Sequence, residues 1–334
     1  MARPGEDELI ARYFGPLAGP GALDLKDDTA LLSPPAGHDL VLTADAVVAG
    51  VHFLAGDPPD TIGHKALAVN LSDLAAKGAD PLGFLLTLAL PADWTEDWLA
   101  GFCAGLGAVA GELGCPLLGG DTVKTPGPLS ISVTALGSVP AGAMVRRTNA
   151  GAGEAICVTG TIGDAALGLE LARADTGLAA AEPAWAGALS DGDRAYLLDR
   201  YRRPRPRTGL AASLRRRARA AMDVSDGLAG DLAKMLRASG VSGTLELDRV
   251  PLSPAARVAL SAAPDLLPRL VSGGDDYEIL LTALPDRLDI LARDAAALGL
   301  EFAVLGQVRS GTEPLTLLRD GAPYGLVDRS FQHF

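Results

Sequence analysis

The chain reads as an α+β protein built from two mixed α/β domains, and three observations carry that reading. Its 334 residues are about two domains' worth of chain. Hydrophobic residues make up 48% and charged residues 21%, a globular balance rather than a disordered one. Strand-like and helix-like stretches mix without the strict alternation of a doubly wound parallel sheet. Aromatic residues are only 4%, so Leu, Val, Ile and Ala must fill the core.

The elements follow in order. Asp39–Asp45 is expected to be a strand running toward polar residues. The spacing of Leu67, Leu71 and Leu74 predicts a helix over Asp60–Lys77, closed by Gly78. Asp93 and Glu96 have capping-box spacing, and Trp98, Phe102, Leu106, Val109 and Leu113 form the apolar stripe of the helix that follows. Leu129–Val139 alternates as a strand. Pro140–Gly142 and Asn149–Gly153 then flank the basic pair Arg146-Arg147, which places a domain boundary between residues 1–142 and 150–334. Beyond it, Ala155–Val158 is a strand, Gly160–Gly163 a glycine turn, Asp164–Arg173 a helix and Asp175–Asp193 a loop. Ala220–Met222 is a short strand, and Leu228–Ala238 a helix ended by Gly240. Tyr277–Thr282 and Phe302–Val308 are strands around a helix near Asp286–Leu298.

Composition narrows the function. Net charge is −12, which argues against a polynucleotide partner, because such partners are held by Lys and Arg. An acidic protein can still bind anionic metabolites when metal cations stand between the two. Cys103, Cys115 and Cys157 form no CxxC pair and show no zinc spacing, so buried thiols in a reducing compartment are expected. With no apolar signal region and no long apolar run, a cytoplasmic protein without membrane attachment is expected.

Familiar catalytic motifs are missing. There is no G-x-x-x-x-G-K-[ST], no G-x-G-x-x-G, no H-E-x-x-H and no G-x-S-x-G. His38, His52, His64 and His333 form no ligand cluster. A series of aspartates at the ends of expected elements stands out instead: Asp27-Asp28, Asp45 two residues after Thr43, Asp73 with Asn70 and Lys77 on one helix, and Asp121 after Gly119-Gly120. Asp223 and Asp226 between strand and helix, and Asp275-Asp276 after two glycines, complete it. Each has an ordinary explanation, since Asp caps helices and starts turns. Asp73 differs, because a mid-helix Asp beside leucines gains little structurally. Paired glycines before Asp121 would let a ligand approach the backbone. Converging carboxylates would repel unless a cation joined them, and oxygen donors of this kind suit Mg²⁺. Ser225 begins a helix, where it is either a plain cap or a phosphate-facing residue. His52 is a loop histidine or a substrate contact, and Arg147 an exposed arginine or a phosphate clamp.

Taken together and in order, Leu42–Asp45, Gly50–Phe53, Lys65–Ala76, Gly78–Pro81, Leu118–Thr122, Asp223–Leu228 and Ser272–Glu278 resemble thiamine-monophosphate kinase, nearly end to end from Leu9–Phe14 through Arg203–Pro206 to His333-Phe334. The resemblance implies a homodimer paired through N-terminal sheets. It implies a C-terminal α+β domain completing the active-site cleft. It also implies metal ligands at Asp28, Thr43, Asp45, Asp73, Asp121, Asp223 and Asp226, ATP contacts at Gly120, Asp121, Arg147 and Ser225, and substrate contacts at His52 and Asp275. Several Mg²⁺ ions, ATP and thiamine monophosphate are the implied ligands. The chain departs from the family pattern at Lys26 for Gly, Ala44 for a hydroxyl residue, Asp275 for Glu and Asp328 for an aromatic, with Tyr324 and Phe331 nearby.

The implied reaction is direct phosphoryl transfer from ATP, giving thiamine diphosphate. The acceptor phosphate has a second pKa of about 6, so no general base is expected. Two alternatives stand beside it: a sister ATP-dependent synthetase of the aminoimidazole ribonucleotide type, and a non-catalytic nucleotide-binding homologue, which Lys26 and Ala44 would favour.

Overall fold

The computed structural model describes residues 5–326 and 330, so Asp328, Phe331 and His333-Phe334 lie outside the described residues. The chain divides into two compact units: Met1–Leu74 with Ala79–Gly142, and Ala75–Gly78 with Ala143–Phe334.

The first unit begins with α1 (Glu6–Leu9) and further short helical turns through Leu25. Then come β1 (His38–Val48), α2 (Pro59–Ala76), β2 (Asp80–Leu90), α3 (Glu96–Leu113), β3 (Leu117–Lys124) and β4 (Ser130–Pro140). The sheet order is β1-β4-β2-β3, with β2 and β3 parallel and the other pairs antiparallel. Alternation explains which face is buried. Phe84, Leu86, Leu88 and Leu90 of β2, with Ile131, Val133 and Ala135 of β4, are fully or nearly buried. Leu67, Leu71 and Leu74 of α2 and Leu99, Phe102 and Leu106 of α3 are buried at 0% exposure, as their spacing predicts. The opposite sheet face carries Leu40, Leu42, Leu85 and Val123, 38–61% exposed.

One expectation is corrected here, and two strands that the sequence did not mark are present. The cap of α3 is Thr95, whose side chain accepts from Trp98 N, rather than Asp93. β2 lay unread in Pro81–Leu90, where a proline and a glycine interrupt a continuous apolar run. β3 runs on through Gly119-Gly120-Asp121.

The second unit contains β5 (Ala155–Thr159), α4 (Asp164–Asp175), α5 (Asp191–Arg202), α6 (Ala211–Arg217), β6 (Ala218–Asp223), α7 (Leu228–Ser239) and β7 (Ser242–Glu246). After them come α8 (Pro254–Ala262), α9 (Leu267–Ser272), β8 (Ile279–Ala283), α10 (Leu288–Ala296), β9 (Phe302–Arg309), β10 (Thr316–Arg319) and β11 (Ala322–Pro323). Its sheet order is β11-β10-β7-β9-β5-β8-β6, and only β10–β7 is parallel. Both faces are covered. Ile156, Val158, Met222 and Leu280 pack with Leu228, Leu232 and Met235 of α7. Cys157, Ala221 and Leu281 pack with Leu214 of α6 and Leu291 of α10. The sheet is therefore buried on both sides, and β5 and β8 read as unbroken apolar runs. Among the described residues no helix is long and apolar enough to cross a membrane.

Candidate active site

In the first unit, β1 and α2 bring Thr43 and Asp73 together: Thr43 Oγ1 donates to Asp73 Oδ2 at 2.5 Å. Thr43 and Asp45 leave the strand on the same face. Asp45 is exposed, and its backbone N–H donates to Asn70 Oδ1 at 3.0 Å. Asn70 is fully buried and donates to the Ala66 carbonyl, so this amide fixes β1 against α2. Lys77 is not part of this polar face; its ammonium donates to the Ala221 carbonyl on β6. His52 Nδ1 accepts from Val48 N at 3.1 Å, which leaves the ring proton on Nε2. The His52 carbonyl accepts from the buried Lys65. Alongside, Phe53, Ile62, Trp94, Trp98 and Asp93 help line a cavity of about 510 Å³.

Asp121 and Asp28 lie elsewhere. β3 is the opposite edge of the sheet from β1, and two intervening strands at ~4.8 Å spacing separate them by roughly 14 Å. The register puts Asp121 on the face of Thr87 and Ser132, while Asp45 shares the face of Val133 and Leu86. Gly120 is required here: a Cβ on it would stand 1.8 Å from the Leu86 carbonyl oxygen, so only glycine lets β3 lie this close. Asp28 is exposed in a loop tied beside the start of β3, through Leu31 N to Gly21 O and Gly19 N to Leu117 O. Lys26 pairs loosely with Asp24 at 3.8 Å, both strongly exposed.

In the second unit, two loops are fastened side by side. Val224 N donates to Glu278 O, Tyr277 N to Val224 O, and Asp275 N to Ser225 O. Gly274 allows this approach, since a Cβ there would meet the Ser225 carbonyl at 2.2 Å. Asp275 and Tyr277 have φ of 70° and 51°, strained for non-glycine residues, which is why β8 starts at Ile279 rather than Tyr277. Tyr277 Oη donates to Asp275 Oδ1. Asp223 is buried, while Ser225 and Asp226 are half-buried. The backbone N–H groups of Ser225 and Asp226 are not free for a phosphate: both donate to Asp231 Oδ2, at 3.1 and 2.9 Å. Burial raises the Asp231 carboxyl above its ordinary range despite Lys234. Arg147 is exposed, and its carbonyl accepts from Ser239 Oγ.

Behind these loops lies an ion network that the sequence did not announce. Arg200 of α5 donates through Nη2 to Glu278 Oε1 at 3.0 Å and to the Asp276 carbonyl at 3.2 Å. Arg207 pairs with both Glu278 oxygens, and Thr159 Oγ1 donates to Glu278 at 2.9 Å. Asp276 is buried, with Gly163 N donating to its two oxygens, and desolvation pushes its carboxyl well above the usual range.

All the candidate metal ligands are hard oxygen donors, the set Mg²⁺ prefers. Among the described residues, however, no three His, Cys, Asp or Glu side chains converge on one point. The structure brings Thr43 to Asp73 and joins the Asp223–Asp226 loop to the Asp275 loop. It does not bring Asp121 to Asp45 within one copy of the first unit.

Comparison with known proteins defines the class. The family model described as "AIR synthase related protein, N-terminal domain" matches residues 26–139, and its C-terminal counterpart matches residues 151–314. A thiamine-monophosphate kinase from Caulobacter vibrioides is 42% identical, covering 93% of this chain and 86% of that protein. A crystal structure of thiamine-monophosphate kinase from Stenotrophomonas maltophilia is 41% identical, with a TM-score of 0.79 over 90% of this chain and 91% of that one. AaThiL complexed with AMPPCP and TMP is 28% identical, with a TM-score of 0.77 over 100% and 99%. The chain belongs to the thiamine-monophosphate kinase family of AIR synthase-related enzymes.

Proposed function

We propose that this enzyme transfers the terminal phosphoryl group of ATP to the phosphate of thiamine monophosphate, giving ADP and thiamine diphosphate. The observation that carries the reading is a match of 42% over 93% of the chain to a curated thiamine-monophosphate kinase. A relative of the same fold complexed with AMPPCP and TMP supports both substrates. Bound Mg²⁺ ions would supply charge neutralisation between donor and acceptor phosphates. Asp28, Thr43, Asp45, Asp73, Asp121, Asp223 and Asp226 would hold them. Gly120, Asp121, Arg147 and Ser225 would contact ATP, with Ser225 acting through its side chain because its N–H is engaged. His52, its Nε2–H directed by the Val48 bond, and Asp275, steadied by Tyr277, would contact the thiamine substrate. The acceptor oxygen is already deprotonated at neutral pH, so the chain's residues bind and align rather than remove a proton.

The reading includes a homodimer. The exposed apolar sheet face of Leu40, Leu42, Leu85 and Val123 is a surface that a second copy would cover. Pairing through that face would also offer the Asp121 edge of one copy to the Asp45 edge of the other, which accounts for their separation in a single chain. A cytoplasmic location is supported by three free, buried cysteines.

The test is ADP release from ATP and Mg²⁺ with and without thiamine monophosphate. Release that depends on thiamine monophosphate, with thiamine diphosphate formed in equal amount, supports the reading. Equal ADP release in its absence, or none in its presence, overturns it.

A further inference from the structure

We propose that Lys234 is a resident cation that occupies Asp226, weakening the grip of this carboxylate on divalent ions until nucleotide phosphate draws the lysine away. The inference rests on the phosphotransfer reading for the assignment of Asp226 as a ligand and of Ser225 as a nucleotide contact.

The geometry forms a closed ring. Lys234 Nζ lies 2.5 Å from Asp226 Oδ2 and 2.9 Å from Asp231 Oδ1. The other Asp231 oxygen accepts the backbone N–H groups of Ser225 and Asp226. An ordinary i,i+3 helix pair would account for Lys234 with Asp231. It does not account for the bond to Asp226, which lies outside the helix and eight residues away in sequence.

Surface ion pairs are usually weak because both partners move freely. Here one anchor is fixed: the Asp231 side chain is 1% exposed, while Lys234 and Asp226 are 31% and 37% exposed. The ammonium is therefore held at Asp226 from a buried base, yet remains open to incoming ligands. The two carboxylates and one ammonium leave the ring with a charge of −1, and removing the ammonium would make it −2.

A divalent ion on the other Asp226 oxygen would stand about 5 Å from the ammonium, a repulsion of at least about tenfold in affinity even at the dielectric of bulk water. Lysine is a point charge on a flexible stem, able to leave a carboxylate for a phosphate oxygen nearby. Ser225, the residue before Asp226, is one of the proposed ATP contacts. A metal brought with nucleotide would thus meet a freed Asp226, while metal alone would meet a paired one.

The test is a Mn²⁺ titration of the full chain, followed by electron paramagnetic resonance of free Mn²⁺, with and without AMPPCP. Without nucleotide, Lys234→Met is expected to tighten one Mn²⁺ site at least about tenfold. Lys234→Arg is expected to behave as the parent, and the gain should vanish in Lys234→Met/Asp226→Asn. With AMPPCP present, the difference between Lys234→Met and the parent should shrink. Thermal melts report whether Lys234→Met folds, and Lys234→Gln takes its place if it does not. Binding by the folded variant no tighter than the parent, a gain that survives Asp226→Asn, or a difference undiminished by AMPPCP would overturn the proposal. No thiamine compound enters this titration, so its failure is distinguishable from failure of the kinase reading.

Discussion

Replacing Arg200 with methionine isolates what the buried ion network contributes. Arg200 is 4% exposed at its side chain and Glu278 0%, so neither charge has water to fall back on. Losing one partner of such a pair costs roughly 3–5 kcal/mol, because the other charge stays buried. Glu278 would keep Arg207 and Thr159, which places the expected loss near the lower bound, about 3 kcal/mol. Arg200 Nε donates no hydrogen bond and stands 3.8 Å from the buried Asp164 Oδ2, a carboxylate that would keep Thr161, Tyr196 and Ser253 as donors. At about 2–4 °C per kcal/mol for a unit of this size, the transition should fall by roughly 6–12 °C. Thermal and urea melts followed by circular dichroism and by Trp185 fluorescence measure it. Arg200→Lys, which keeps the charge but not the planar fork, should lie between parent and methionine variant. A loss below about 1 kcal/mol in Arg200→Met would refute the argument that this arginine anchors the loops.

Three further outcomes are expected. Asp276 has a folded-state pKa raised above 3.8, so its ionised form is disfavoured in the folded protein, and stability is lost as pH rises from about 4 through the raised value. Asp276→Asn should therefore gain on the parent in urea melts as pH goes from 4.5 to 7.5; a gain running the other way contradicts the assignment. Burial pushes the thiols of Cys103, Cys115 and Cys157 up to about 12, so a thiol reagent at pH 8 should label none in the native protein and all three after unfolding. His52→Ala should raise KM for thiamine monophosphate several-fold and leave KM for ATP nearly unchanged; the reverse pattern removes His52 from the substrate side.

Much of the fold was legible where apolar residues recur at one period. α2 and α3 were readable because Leu67, Leu71 and Leu74, and Phe102 and Leu106, repeat at helical spacing, although α2 proves to be buried all round. β2 was not, because Pro81–Leu90 is apolar at nearly every position and carries no period to choose strand over helix. α5 stayed hidden because half of Asp191–Arg202 is charged and its buried side is short, Leu197 and Tyr201 with Arg200 between them. The candidate site shows the same division. Thr43, Asp45 and Asp73 could be picked out by chemistry, and α2 does set Asp73 against Thr43. The partners that fix the loops, Arg200, Arg207, Asp231 and Lys234, were missed. Arg200 and Glu278 meet across 78 residues, a pairing no local pattern encodes. Asp231 did leave a signal, an acidic residue in the first turn of α7 with Lys234 one turn on.

The proposed function has carboxylates on opposite edges of one sheet serve the same pair of phosphates across a dimer, and complementation tests this proposal most directly. Asp45→Asn and Asp121→Asn should each cripple turnover at saturating Mg²⁺ without unfolding the chain. A mixed dimer of the two, purified through different tags, holds one site with both substitutions and one with neither, so it should recover roughly half the parental kcat. A mixed dimer as inactive as its parents would contradict the account, as would single variants that turn over normally or a chain that yields no dimer.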